Sequence, residues 1–182
     1  MRKNISYRKI VQLEKDLTNI QAQTDKNSEE NWQFRGFLKM NIDEDDLDRI
    51  VHKINADISS QIDCTECGNC CRNSYPILKK NDVAKISKGI SLGLNDFTEK
   101  YLQKDEDGNM VFNTLPCPFL KDNKCTQYDN RPNDCKSFPH LHKECFVSRL
   151  WGVVENTKIC PIVFNVYEQL KLKFPKWKKE IL

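Results

Sequence analysis

The chain has 182 residues, a length that suits one domain with its own hydrophobic core. It carries 29 basic and 26 acidic residues, and the resulting net charge of +3 is too small to predict binding to nucleic acid or to a membrane surface. No apolar run approaches the roughly 20 residues that span a bilayer, and the basic N-terminus lacks the apolar stretch of a secretory signal. We therefore expect a cytoplasmic protein with no nucleic-acid and no membrane partner.

Apolar residues at helical spacing predict three helices in the first third of the chain. The first extends from residue 1 to about residue 25. The second begins at Ser28, and Asp43 caps the third, whose first turn is acidic, as the helix dipole favours. The apolar stripe of the first helix is formed by Ile10, Leu13, Leu17 and Ile20. We expect residues 1–62 to form a helical N-terminal extension that packs on a cysteine-cluster domain of residues 63–182.

Shorter elements are predicted in the rest of the chain. Asn81 and Asn95 would each cap a short helix, and Asp107-Gly108 is typical of a two-residue hairpin turn. Short strands are expected at 109–114 and 146–154. A final helix opens at Cys160-Pro161 and ends at Pro175, and a lysine-rich, solvated tail follows it. The fold class is a small, mostly helical α+β domain with few short strands, centred on a cysteine-ligated metal.

Nine cysteines are the most specific chemical feature of the sequence. Residues 64–71 read C-T-E-C-G-N-C-C, and Gly68 permits the turn that brings two thiols toward one ion. In a reducing compartment such a pattern is more often metal-binding or catalytic than disulfide-forming. Thiolates select zinc, Cu(I) or iron–sulfur clusters over hard cations. The candidate metal ligands are Cys64, Cys67, Cys70, Cys71, Cys117, Cys125, Cys135 and Cys160.

The spacing leaves the identity of the metal open. Structural zinc requires four ligands in a tetrahedron, which Cys64 and Cys67 would complete with two distal thiols. Iron–sulfur ligation is equally compatible, because Cys64, Cys67 and Cys70 have the C-x2-C-x2-C spacing of bacterial ferredoxins. Cys117-Pro118 and Cys160-Pro161 would then supply the Cys-Pro pair. The expected cofactor is therefore zinc or iron, the latter including an iron–sulfur cluster.

Five residues in or near these motifs need to be considered separately as ligands. Cys70 and Cys71 are adjacent and point in different directions, so either two metals share the eight thiols or one of this pair has another role. Cys145 lacks a neighbouring proline, glycine or second cysteine, and we place it outside the set. His140 and His142 are second-choice ligands, because their spacing of two residues suits one face of a strand but not one face of a helix.

The motifs resemble those of the YkgJ-type cysteine-cluster proteins, which are described as a zinc- or iron-chelating domain. The resemblance covers about residues 64–161. It implies metal ligation by the same eight cysteines, and it leaves the helical N-terminal third outside the family pattern. The segments that carry it are C-T-E-C-G-N-C-C at 64–71, C-P-F-L at 117–120, C-T-Q-Y at 125–128, R-P-N-D-C-K-S-F-P at 131–139 and Cys160-Pro161.

Three functions follow from this reading of the residues and from the resemblance. The first is a metal-binding protein that holds zinc or iron, and the second is an iron–sulfur oxidoreductase or electron-transfer protein. The third is a protein-modifying enzyme, because the resemblance extends to flagellin lysine-N-methylase. The sequence singles out no catalytic residue and contains no glycine-rich loop for S-adenosylmethionine. The metal ion is the expected partner, and the lysine-rich tail around Trp177 would suit an acidic protein partner.

Overall fold

A computed structural model describes residues 12–180 of the chain. It confirms a mostly helical α+β domain, in which two small antiparallel sheets of two strands each accompany the helices. No helix within residues 12–180 has both the length and the apolar character that crossing a membrane requires. The N-terminal helices are α1 (Leu17–Lys26), α2 (Ser28–Asn41) and α3 (Glu44–Ser59).

The first helix is shorter than its apolar stripe predicts. It begins at Leu17, where Asp16 caps it by accepting a hydrogen bond from the Asn19 N–H at 2.8 Å. The segment before it is extended because Asn165 holds it: its side chain accepts from the Glu14 N–H at 3.0 Å and donates to the Glu14 carbonyl at 2.7 Å. The part of the prediction that falls on residues 1–11 lies outside the described residues.

The middle of the chain contains four short helices and four short strands. They are α4 (Cys70–Asn73), α5 (Lys80–Gly89), α6 (Leu94–Tyr101), β1 (Leu102–Lys104), β2 (Met110–Phe112), β3 (Leu120–Lys121), β4 (Lys124–Cys125) and α7 (Asn133–Ser137). The first hairpin falls where a strand was predicted, but its loop spans residues 105–109 and is not a two-residue turn. Asp105 organises this loop by accepting from the N–H groups of Asp107 and Asn109.

The predicted strand at 146–154 is wrong. Residues Phe146–Arg149 form a 3-10 helix that continues into α8 (Leu150–Asn156). Asp48 of α3 starts this turn, because its carboxylate accepts hydrogen bonds from the N–H groups of Cys145 at 2.7 Å and Phe146 at 2.8 Å. The buried side chains then follow helical spacing: Phe146, Leu150, Val153 and Val154.

The last two helices are α9 (Pro161–Lys173) and α10 (Trp177–Glu180). The end of the chain is less solvated than expected, because Trp177 is only 3 % exposed and its ring centroid lies 5.0 Å from that of Phe34. Lys178 remains on the surface and pairs with Glu30 at 2.9 Å, whereas Lys171 is buried and pairs with Glu168 at 2.8 Å.

Two hydrophobic clusters divide the interior. The larger one, here called the helical core, joins α2 and α3 to α8, α9 and α10, and Tyr167 at its centre donates a hydrogen bond to the Asn31 carbonyl at 2.8 Å. The smaller one, here called the hairpin core, is formed by Leu78, Val83, Ile86, Phe97, Leu102, Phe112 and Phe119. α2 and α3 share the helical core with the C-terminal helices, and the domain boundary at residue 62 stays a prediction.

Candidate metal centre

The cysteine-rich turn leads from the end of α3 into α4. Asp63 opens it by accepting hydrogen bonds from the N–H of Thr65 at 2.8 Å and from its hydroxyl at 2.7 Å. Gly68 has a φ of +60°, and a Cβ placed on it would lie 2.7 Å from the carbonyl oxygen of Asn123. Only glycine allows this backbone conformation together with such a close approach to the next hairpin. The turn is therefore shaped to sit against the β3–β4 hairpin.

That hairpin brings two further cysteines to the turn. The N–H of Cys117 donates to the carbonyl of Cys71 at 2.7 Å, and the N–H of Leu120 donates to the carbonyl of Cys117 at 3.0 Å. Cys125 lies opposite Leu120 in the two-stranded ladder. Cys117 and Cys125 are both half-buried and pack against the hairpin core.

Cys135 lies in the first turn of α7 and is half-buried. Two backbone N–H groups hold this short helix in place. The Asn133 N–H donates to the Asp82 carboxylate of α5 at 3.1 Å, and the Ile77 N–H donates to the Asp134 carboxylate at 3.0 Å. Asp134 thus fixes α7 against the segment that follows the cysteine-rich turn, a role that its place in the sequence does not signal.

Cys160 is the predicted ligand that lies farthest along the chain from the turn. It is 5 % exposed and immediately precedes α9, which starts at Pro161. The side-chain amide of Asn69 donates to the carbonyl of Ile159 at 2.7 Å, which ties the turn to this position. Sequence reasoning missed Asn69, because nothing in its neighbourhood indicates a partner so far along the chain.

Burial perturbs the thiols around the hairpin. It raises the pKa of Cys117 to about 11, opposed by the Phe119 N–H and reinforced by the thiols of Cys71 and Cys125. It raises the pKa of Cys135 to about 12, reinforced by the same three thiols: Cys71, Cys117 and Cys125. It also raises the pKa of Cys125, although the Arg131 guanidinium acts in the other direction. These groups resist ionisation unless a cation offsets their charge.

The other thiols are perturbed in a similar way. Burial raises the pKa of Cys160 to about 12, opposed by the N–H groups of Val163 and Ile162 and reinforced by the neighbouring thiols of Cys64 and Cys67. A hydrogen bond from the Cys70 thiol, opposed by burial and assisted by the Arg72 guanidinium, lowers the pKa of Cys71 to about 7. The same hydrogen bond, together with burial, raises the pKa of Cys70. Cys71 is therefore the thiol in this pair that ionises first.

A cleft of about 450 Å³ opens beside the cysteines. Tyr75 and Tyr128 lie on its rim, 47 % and 42 % exposed, and the Arg131 guanidinium lies 3.6 Å from the centroid of the Tyr128 ring. Six thiols line the cleft: Cys64, Cys70, Cys71, Cys117, Cys125 and Cys135. Most of the predicted ligands are thus reachable from one solvent-open space.

The thiols are gathered but are not closed around a point. Among residues 12–180, no three histidine, cysteine or carboxylate side chains stand in positions that would hold one metal ion as they are. The donor set nevertheless fits zinc or iron, because the thiols are soft ligands carried by segments that hydrogen bonds hold together. Ligation would require side-chain rotation and a small closure of these segments.

Three residues were not predicted as first-choice ligands, and they lie in different places relative to the cleft: Cys145, His140 and His142. Cys145 is exposed and its backbone is held by Asp48, away from the cleft. His140 lines the cleft, with Nδ1 2.9 Å from the Ser137 hydroxyl and Nε2 3.4 Å from the Asp134 carboxylate, and burial lowers its pKa. His142 lies beside a separate small pocket that Cys64 also lines.

A helical domain in which spaced cysteines converge beside a cleft defines a protein of the cysteine-cluster, metal-chelating class. The chain belongs to the CxxCxxCC family, described as a "Putative zinc- or iron-chelating domain", whose model matches residues 63–161. This match confirms the family resemblance inferred from the motifs. No solved structure matches the chain.

Proposed function

We propose that this protein binds zinc or iron through the thiols of eight cysteines. The observation that supports the proposal most strongly is the convergence of three separate cysteine-bearing segments, the turn, the β3–β4 hairpin and α7, beside one cleft. The ligands proposed are Cys64, Cys67, Cys70, Cys71, Cys117, Cys125, Cys135 and Cys160. Family membership supports chelation of zinc or iron in general, and the ligand set is the more specific part of the proposal.

The chemistry of the thiols explains why a metal would matter for this fold. Burial raises the pKa of Cys117 to about 11 and that of Cys135 to about 12, so both are neutral at pH 7 without a cation. A bound metal ion would supply the positive charge that keeps them as thiolates, and its binding would release protons. In such a domain the free energy of metal binding adds to the free energy of folding.

Metal analysis of protein purified anaerobically, together with its absorption spectrum, tests this proposal. We expect zinc or iron to be retained in stoichiometric amounts through gel filtration. We also expect a chelator to lower the melting temperature, because the ion stabilises the folded chain. Metal-free protein whose melting temperature a chelator leaves unchanged, and which takes up no added Zn²⁺ or Fe²⁺, would overturn the proposal.

The second candidate is an iron–sulfur electron-transfer protein. The observation that favours it is that Cys71, Cys117, Cys125 and Cys135 line a cleft open to solvent, so a redox partner could come close to a group held there. Brown protein containing iron and acid-labile sulfide, with absorbance that bleaches reversibly on reduction, would establish this function. A colourless protein with stoichiometric zinc would exclude it.

A further inference from the structure

The cysteines near the hairpin form one complete neighbourhood. In this group, here called the distal set, every pair of thiols is close enough to interact electrostatically. The backbone supports the grouping, because Cys117 is hydrogen-bonded to Cys71 and shares the β3–β4 hairpin segment with Cys125. All four members line the same cleft. The distal set is Cys71, Cys117, Cys125 and Cys135.

A second neighbourhood, here called the proximal set, lies around Cys160. Cys160 has Cys64 and Cys67 as thiol neighbours, and the Asn69 amide ties the turn to Ile159 beside it. Cys67 and Cys160 are absent from the lining of the cleft. The thiols that act on Cys117, Cys125 and Cys135 all belong to the distal set.

Cys70 lies where the two sets meet. It has Cys160 as a neighbour on one side and Cys71 and Cys135 on the other. Consecutive residues of a helix point roughly 100° apart, so Cys70 and Cys71 at the start of α4 face different directions. The distal set already has the four ligands that complete a tetrahedral shell. Cys70 is therefore free to complete the proximal set.

We propose that the chain carries two four-cysteine metal sites, a proximal one of Cys64, Cys67, Cys70 and Cys160 and a distal one of Cys71, Cys117, Cys125 and Cys135. This inference rests on the proposed function and adds how many ions are bound and which thiols hold each. The boundary between the sites runs through the peptide bond that joins Cys70 to Cys71.

The two sites differ in access to solvent. All four distal thiols line the cleft, whereas only Cys64 and Cys70 of the proximal set do, and Cys160 is 5 % exposed. A chelator would reach the distal ion first, since removal of a metal requires an incoming ligand. The proximal site thus behaves as the closed, structural one, and the distal site as the exchangeable one.

Zn²⁺ titration of reduced, metal-stripped protein tests the division, whatever ion the protein holds natively. We expect about two equivalents of tightly bound Zn²⁺ in the native chain, and about one in each of Cys67→Ser and Cys125→Ser. The double variant should bind none. Cys145→Ser is the matched control, because this exposed cysteine lies outside both sets, and it should bind two equivalents.

Alkylation of the native chain gives a second readout that does not depend on the folding of a variant. Fully loaded protein is treated with a chelator until one Zn²⁺ remains, and the unprotected thiols are alkylated and identified by mass spectrometry. We expect Cys71, Cys117, Cys125 and Cys135 to be alkylated, and the four proximal thiols to be protected.

The outcomes separate the two proposals. Two bound Zn²⁺ ions with a protected set that matches the proximal four supports the division into two sites. One bound Zn²⁺ in the native chain, or protection that mixes thiols of both sets, overturns the division and leaves metal binding itself standing. A native chain that binds no Zn²⁺ and no Fe²⁺ overturns both proposals.

Discussion

The backbone N–H of Cys117 lies 2.7 Å from the carbonyl oxygen of Cys71 and donates a hydrogen bond to it. This bond joins two cysteine-bearing segments through their main chains, so it does not depend on the protonation of either thiol. The scaffold therefore brings the two segments together before an ion binds. Preorganisation of this kind lowers the entropic cost of ligation.

Replacement of Gly68 by alanine should damage this contact between the turn and the hairpin. The added Cβ would meet the Asn123 carbonyl at 2.7 Å in a backbone with a φ of +60°. Left-handed conformation alone costs roughly 1–2 kcal/mol in a residue with a Cβ, and the steric clash adds to that cost. We expect a loss of at least about 2 kcal/mol in urea denaturation and weaker Zn²⁺ binding.

Gly108→Ala is the matched control for this substitution. Gly108 also has a positive φ, of +79°, but a Cβ there would have no neighbour within 4 Å. It should therefore show the conformational cost alone and retain the Zn²⁺ affinity of the native chain. Equal losses of stability and of Zn²⁺ affinity in the two variants would contradict the importance of the contact with Asn123.

Asp48 is the second position where one substitution should have a large effect. Its carboxylate is 8 % exposed and accepts two backbone hydrogen bonds, from Cys145 and Phe146. Asp48→Ala would leave both N–H groups without this acceptor, and hydrogen bonds to a charged group contribute about 1.5–3 kcal/mol each. We expect a loss of roughly 3 kcal/mol, measured by urea denaturation of the Zn²⁺-loaded protein.

Asp57→Ala serves as the control for Asp48, because Asp57 is an exposed residue of the same helix α3. Its removal should change the free energy of unfolding by less than about 0.5 kcal/mol. If the two variants had the same urea midpoint, the start of the turn at Phe146 would have to be explained without the Asp48 carboxylate.

The helices with long apolar stripes could be predicted from the sequence. α3 begins after Asp43, as expected, and its stripe supplies the buried Leu47, Val51 and Ile58. Local signals suffice there because the cap and the stripe lie within one element. The same holds for α9, where Pro161 occupies the first turn and the buried face follows helical spacing.

Residues 146–154 show why other elements could not be predicted. Their apolar residues are dense enough to suit either a strand or a helix, and the deciding contact comes from Asp48, which is 98 residues away from Phe146. Local caps at Asn81 and Asn95 were predicted wrongly for a related reason. α5 is instead capped around Lys79 by the Asp82 side chain, and α6 begins after Gly93.

The sequence predicts which residue types form the candidate site, but it does not predict how those residues are arranged in space. The C-x2-C-x2-C-C motif at residues 64–71 identifies the chemistry, because four thiols within eight residues have few other uses. The neighbours of Cys160 could not be predicted, since they depend on the hydrogen bond between Asn69 and Ile159. Which thiols share a neighbourhood is a property of the fold.

Glu30 provides a pH-dependent prediction away from the cysteines. Burial raises its pKa, but the hydrogen bond from Lys178 and the charge of Lys171 outweigh this effect and hold the pKa below its ordinary 4.5. Because the pKa is lowered in the folded state, the stabilisation is present above about pH 4.5 and is lost as the pH falls through the folded-state value. The group is partly exposed, so we expect less than about 1 kcal/mol.

Melting temperatures of the native chain and of Glu30→Gln, each measured at pH 7 and near pH 3, check this sign. The variant should melt lower at pH 7, and the two should converge in acid. Both proteins lose bound metal in acid, so only their difference is compared. Glu29→Gln is the control, since Glu29 accepts from Gln33 and no cation partner is seen among the described residues. If the difference in melting temperature between the native chain and Glu30→Gln grew as the pH fell, the lowered pKa of Glu30 would be contradicted.

Removal of the metal should affect the two hydrophobic clusters unequally. The hairpin core is small, and Cys117 and Cys125 pack directly against it, so a metal held by these thiols would brace it. The helical core is larger and has a single buried cysteine, Cys160, at its edge. Chelation should therefore lower hydrogen-exchange protection at least about tenfold in the hairpin core, as at the N–H groups of Leu78 and Thr126, which donate to the carbonyls of Met110 and Phe119.

The amides of α9 around Tyr167 provide the internal control for this experiment. They belong to the helical core, and we expect their protection to fall by less than about threefold under the same chelation. An equal loss across both cores would mean that the chain unfolds as one unit without metal. An unchanged pattern would mean that the hairpin core is stable without any ion, because the packing of Phe97, Phe112 and Phe119 then suffices to hold it.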